Sequence, residues 1–187
     1  MSMRKIGAAA AVAALAVPAV SLAADGGHGT PVSKEELSRY FAIQPDGEGL
    51  PPGSGTAKVG AGLFAQKCAM CHGDKLQGVQ AAGGPTLIGG RGSLTSDKPL
   101  KTVESYWPYT STLFDYIWRA MPFTEPGSLT PDEVYSISAY ILEQAKIIDD
   151  KTVLDAKSMP KIEMPNAKGF YDGRGPDLSA YAVPQPQ

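Results

Sequence analysis

Cys68-Ala69-Met70-Cys71-His72 is the stretch on which the fold turns. On a helix, positions i, i+3 and i+4 share nearly one face, so the two thiols and the imidazole project together. This C-x-x-C-H spacing is the form of a c-type haem attachment site. Each cysteine there forms a thioether with a haem vinyl group, and the histidine binds the iron from one side. Other uses of a cysteine pair fit less well. A structural zinc site takes four Cys or His ligands, whereas Cys68 and Cys71 are the chain's 2 cysteines and His28 is its one other histidine. A thioredoxin-like pair expects a βαβ setting, yet the residues before Cys68 read as Gly-rich coil running into a helix. A plain disulfide is the remaining alternative.

Working outward, the motif helix is expected over Thr56 to His72. Val59, Leu63 and Phe64 form its apolar face, and Gly73 is a natural stop. Gly60 and Gly62 each cost about 1 kcal/mol against Ala in a helix, which asks for a packing reason such as a second helix approaching closely. From Asp74 to Lys101 no period is sustained. A helix then reads from Ser111 to Ala120, with Leu113 and Ile117, and Phe114 and Trp118, at i and i+4. It delivers Met121-Pro122, and the proline biases Met121 out of the α region. The thioether of Met121 is thereby free to point away from the helix, as a distal iron ligand requires. Leu129 to Lys146 is the last strong element, with Thr130 as N-cap, Pro131 at N1 and Glu133 completing a capping box. Val134, Ile137 and Ile141 form its buried stripe, with Tyr140 beside it.

The ends of the chain read differently. Arg4 and Lys5, the apolar run Ile6 to Val20 and Ser21-Leu22-Ala23 have the layout of a secretory signal peptide, residues 1–23. The apolar run is short of the ~20 residues a spanning helix needs. A mature protein that is periplasmic and has no membrane span is therefore expected. Cleavage would leave 15 basic against 19 acidic side chains, a balance that does not suggest nucleic acid as a partner. Residues 24–55 are expected as an N-terminal extension, with a short helix from Lys34 to about Phe41 started by Ser33 and Glu36 at capping-box spacing. The coil Gln44 to Gly55 follows, either as a linker or as an arm over the next domain. Residues 56–148 are expected as one haem domain, and 149–187 as an extended arm on this domain or on a partner. The 21 Gly and 16 Pro favour helices joined by long ordered coil over a sheet-rich core.

Two further segments carry candidate haem contacts. Arg91, in Gly89-Gly90-Arg91-Gly92, could neutralise a haem propionate or be solvated. Tyr106-Trp107-Pro108-Tyr109 could line a haem edge through Tyr106 or Trp107, although ordinary core packing asks for the same composition.

The arrangement resembles the class I cytochromes c. That resemblance implies an all-α fold of helices around one covalent haem c, with coil arms at both ends, and a near-perpendicular crossing of the first and last helices. Gly60 and Phe64 would meet Tyr140 there. It also implies that the carbonyl of Pro85 accepts a hydrogen bond from the ring of His72, the alternative being a turn without that contact. His72 and Met121 would be the metal ligands, Met121 having the better position among the candidates Met121, Met159 and Met164. Such ligation raises the potential and suits electron transfer.

QPDGEGLPPGSGTAKVG, GGRGSLTSDKP, VESYWPYTSTLFDYIWRAMPF, EPGSLTPDEVY and VLDAKSMPKIEMPNAKGF resemble a narrower group, the haem-bearing subunits of sulfite and sulfur dehydrogenases, SoxD-like and related. The resemblance covers roughly Arg39 to Asp172. It implies a molybdopterin subunit as partner, which oxidises the sulfur compound, and a downstream cytochrome or oxidase as acceptor. This chain would then be a non-catalytic electron-transfer subunit. A free soluble carrier and a haem enzyme with labile distal ligation are the alternatives. SoxD-type subunits commonly carry a second haem domain, and this chain has a single C-x-x-C-H. That departure shifts weight from sulfane oxidation towards a single-haem sulfite dehydrogenase subunit.

Overall fold

The computed structural model describes Val32, Ser33, Glu35 and residues 42–170. The expected signal segment and, apart from Glu35, the Lys34 to Phe41 helix lie outside the described residues. Among the described residues four α-helices carry the fold: α1 (Ala57–Lys67), α2 (Ala69–His72), α3 (Thr110–Ala120) and α4 (Pro131–Gln144). A two-stranded antiparallel ladder joins β1 (Ser54–Thr56) to β2 (Val153–Asp155), with Gly55 opposite Leu154. Among the described residues no helix is long and apolar enough to cross a membrane.

Helix α4 begins as its sequence dictates. The Thr130 hydroxyl accepts from the Glu133 amide, the Glu133 carboxylate accepts from the Thr130 amide, and Pro131 occupies the first turn. Val134, Ile137 and Ile141 are buried on one face. On another face Ser136 meets Gly60 of α1, where an added β-carbon would overlap the Ser136 carbonyl and lie 2.9 Å from the β-carbon of Tyr140. The two backbones therefore touch, and only glycine permits it. Phe64 and Tyr140 stack beside that point with centroids 5.2 Å apart and planes tilted by 51°, a pairing worth about 0.5–1.5 kcal/mol beyond its buried area.

Three expectations for the motif helix need correction. Val59 is 56% exposed, so the apolar face is narrower than the periodicity suggested and runs through Ala57, Gly60 and Phe64. Gly62 has open space where a side chain would stand, so only Gly60 has a packing reason. The motif helix is also broken. Cys68, at φ −124°, separates α1 from α2, although its amide still donates to Phe64 and its carbonyl still accepts from His72.

Both ends of the described chain fold back on the helices. In the N-terminal coil Ile43 joins the core, Pro51 accepts from the Tyr135 hydroxyl at 2.9 Å, and Pro45 accepts from Ser111 at 3.3 Å. The Ser54 amide donates to Asp132 at 2.7 Å. After α4 the chain forms β2 and a 3-10 turn at Met159–Lys161. Leu154, Met159 and Met164 are core members at no more than 2% exposure. The segment 149–170 thus wraps its own chain, and a ladder appears where the sequence suggested coil. Its strands are three residues each, too short to leave a period-2 pattern, so only tertiary pairing reveals it.

Candidate functional site: the haem motif and its surroundings

Cys68 and Cys71 are free thiols, each half-buried. Burial pushes the Cys68 thiol up from 9.0 to about 11, with Lys67 opposing and Cys71 reinforcing the shift. Reactive C-x-x-C pairs have lowered values, and the shift at Cys68 runs the other way. The His72 ring is fixed by a 2.9 Å hydrogen bond between Nδ1 and the Pro85 carbonyl. A carbonyl can only accept, so Nδ1 carries the proton and Nε2 is the remaining lone pair, available for a metal.

The loop after the motif is built to hold that contact. Gly78 and Val79 donate to the carbonyls of His72 and Cys71 at 2.7 and 2.9 Å. Gly84 lies so close that a β-carbon would overlap the Cys71 carbonyl. Leu76, fully buried and at φ 58°, pins the other side of Pro85. Its carbonyl accepts from the Leu87 amide at 2.8 Å and from the Thr86 hydroxyl at 3.0 Å. A non-glycine left-handed residue costs about 1–2 kcal/mol, here set against burial of its side chain. Gly84 and Leu76 were missed in the sequence because neither follows a period.

Helix α3 buries Leu113, Phe114 and Ile117 and ends at Met121, whose φ of −120° and ψ of 148° are extended. That is the geometry expected of a residue preceding proline. Met121 is partly buried and packs against the core, as do Leu63, Cys68, Leu87, Ile88, Trp107 and Trp118. Met159 and Met164, by contrast, are fully enclosed by the protein's own atoms.

The remaining candidates have other partners. Arg91 Nε pairs with Glu104 at 2.6 Å, and its Nη2 donates to the Ala145 carbonyl at 2.6 Å. Glu104, unnoticed in the sequence, also accepts from the Gly89 amide at 2.5 Å, so Arg91 ties its loop to the end of α4. The Tyr106 ring stands edge-on to Phe170 and within 5.1 Å of Lys101 Nζ. Trp107 stands edge-on to Tyr116 at 5.7 Å.

The donor set suits a haem c: two thiols without a disulfide, an imidazole with one fixed free nitrogen, and partly covered apolar side chains. Comparison with known proteins agrees. Residues 57–145 match the family model for cytochrome c. The crystal structure of the sulfane dehydrogenase SoxCD from Paracoccus pantotrophus contains a similar chain. The match is 40% identical, covers 86% of this chain and 80% of that one, and has a TM-score of 0.71. A thiosulfate dehydrogenase of Stutzerimonas stutzeri (strain A1501) is 27% identical over 127 residues, 67% of this chain. The present chain spans only 38% of that relative's length. With these likenesses and the C-x-x-C-H motif, the chain belongs to the cytochrome c family, has the class I fold, and is an electron-transfer protein carrying one covalent haem c.

Proposed function

We propose that this protein is a periplasmic electron-transfer subunit of a molybdenum-dependent sulfite or sulfur-compound dehydrogenase, passing electrons to another cytochrome or an oxidase. Cys68 and Cys71 hold the haem, and His72 and Met121 are its axial ligands. The observation that carries the site is the 2.9 Å bond from the His72 ring to Pro85, which orients Nε2 and raises its basicity as a ligand. The observation that favours a sulfur compound is the 40% identity to a chain of SoxCD. When bound, the haem supplies one-electron exchange at iron. The chain's own contribution is to fix ligand identity and orientation and to exclude water from part of the site. Met121 is the distal residue in this reading because it is only partly covered, whereas Met159 and Met164 are filled in by the core.

Met121→Ala tests the ligation. The methionine-to-iron charge-transfer band of the ferric protein should disappear and the reduction potential should fall. An unchanged spectrum would overturn the assignment. Co-purification from periplasmic extract tests the complex, with recovery solely as a free monomer counting against a subunit. One observation favours the free soluble carrier as a second reading: residues 149–170 dock on their own chain, so they need no partner to cover them.

A further inference from the structure

Helix α3 places Met121, yet its own start is weakly secured. Tyr109, its N-cap residue, makes no side-chain cap hydrogen bond. The C-terminal segment supplies the hold instead. The buried Thr110 hydroxyl donates to the Met159 carbonyl at 2.6 Å, across 49 residues of sequence. Asn166 Nδ2 donates to the Tyr106 carbonyl at 2.8 Å, across 60 residues, and Phe170 stands against the Tyr106 ring at 5.2 Å. The segment is itself anchored. Val153–Asp155 pairs with β1, and Asp155 accepts from the Lys157 and Ser158 amides at 2.8 and 2.7 Å.

A helix is stiff along its axis, so a shift at Thr110 is carried to Ala120, about 15 Å away at 1.5 Å per residue. We propose that Thr110 and Asn166 are positioning residues for the distal ligand: the C-terminal arm fixes where α3 begins and so where Met121 presents its thioether. The proposal rests on the reading of Met121 as that ligand. It gives the arm a role at the haem through α3.

The test uses the full-length ferric holoprotein titrated with imidazole, which competes with a methionine ligand. Thr110→Val keeps the shape and removes the donor, and Asn166→Ala removes the second contact. Losing a net hydrogen bond of ordinary strength should tighten apparent imidazole binding about fivefold for each variant and on the order of twentyfold for both. The methionine charge-transfer band should weaken and the potential drop while far-ultraviolet circular dichroism stays unchanged. Thr110→Ser, which restores the hydroxyl, should return the wild-type affinity. Lys168→Ala, which breaks an exposed ion pair with Glu163 in the same arm, should leave it alone. Should Thr110→Val yield no holoprotein, Asn166→Ala at its partly exposed site carries the measurement. Affinity and potential unchanged in Asn166→Ala, or an equal loss in Thr110→Ser, overturn the proposal. If Met121→Ala leaves the band and imidazole affinity unchanged, the ligand reading fails and the proposal falls with it. An intact ligand reading with unresponsive arm variants sinks the positioning role alone.

Discussion

The joint between α1 and α4 and the joint between the C-terminal arm and α3 are built on opposite plans. In the first, two helix faces meet backbone to backbone at Gly60 and Ser136, with Phe64 and Tyr140 alongside. In the second, single polar contacts from irregular chain reach Tyr106 and Thr110 over a bed of buried methionines. Regular faces distribute a perturbation over many contacts, so the first joint holds or fails as a whole. Contacts of the second kind can be lost one at a time. The haem motif hangs from the first joint and Met121 from the second.

The largest expected effect comes from breaking the first joint. Gly60→Leu forces the helices apart and should cost more than about 3 kcal/mol, lowering the denaturant midpoint sharply or preventing recovery of holoprotein. A variant with a near-normal midpoint would show that the crossing yields locally, which erases the contrast.

Tyr135 bridges the two regions, since its ring meets Phe114 of α3 at 4.5 Å while its hydroxyl reaches Pro51. Tyr135→Phe should cost about 1 kcal/mol at neutral pH. Burial, reinforced by Asp155, pushes the phenol up from 10.0 to about 12. The unfolded chain therefore loses this proton first as pH rises. The stability held by the neutral phenol is fully present below pH 10 and is lost as pH climbs through about 12. Chemical denaturation of wild type and variant across that range should converge; parallel curves would refute the assignment.

The smallest effect belongs to Glu133, which caps α4 and lies 3.6 Å from Lys67 of α1. Its carboxyl is held below the usual 4.5, chiefly by the Thr130 amide. Glu133→Gln should cost roughly 0.2–1 kcal/mol, because the group is partly solvated. The wild-type advantage should be present above the ordinary value of 4.5 and vanish as pH falls through the depressed one. A difference that grows towards acid would contradict this.

How much of this could be read from the chain alone follows the same division. Thr130, Pro131 and Glu133 announce α4 through local chemistry, and Cys68, Cys71 and His72 announce their cofactor by spacing. The crossing of Gly60 and Phe64 with Tyr140 was accessible through family resemblance, as was the contact of His72 with Pro85. The boundary at Cys68 was not, since the sequence runs on without a breaker. Gly84 and Leu76 escaped because their roles depend on close approach and on a left-handed backbone, which leave no periodic trace. Arg91 illustrates a different limit: composition proposes a charge but cannot name Glu104 as its neighbour. Residues 153–166 make their contacts with partners 49 and 60 positions away, and with β1 further still, so these pairings exist only once the fold is formed.

The ladder of Ser54 with Asp155 has a consequence for the order of assembly. Closing a loop of about 100 residues costs roughly 2 kcal/mol more in chain entropy than closing the 13-residue span from His72 to Pro85. The span around the haem motif can therefore organise while the arm is still loose. A chain following that order would expose Cys68 and Cys71 to incoming porphyrin before Met121 is brought into place, so attachment would precede closure.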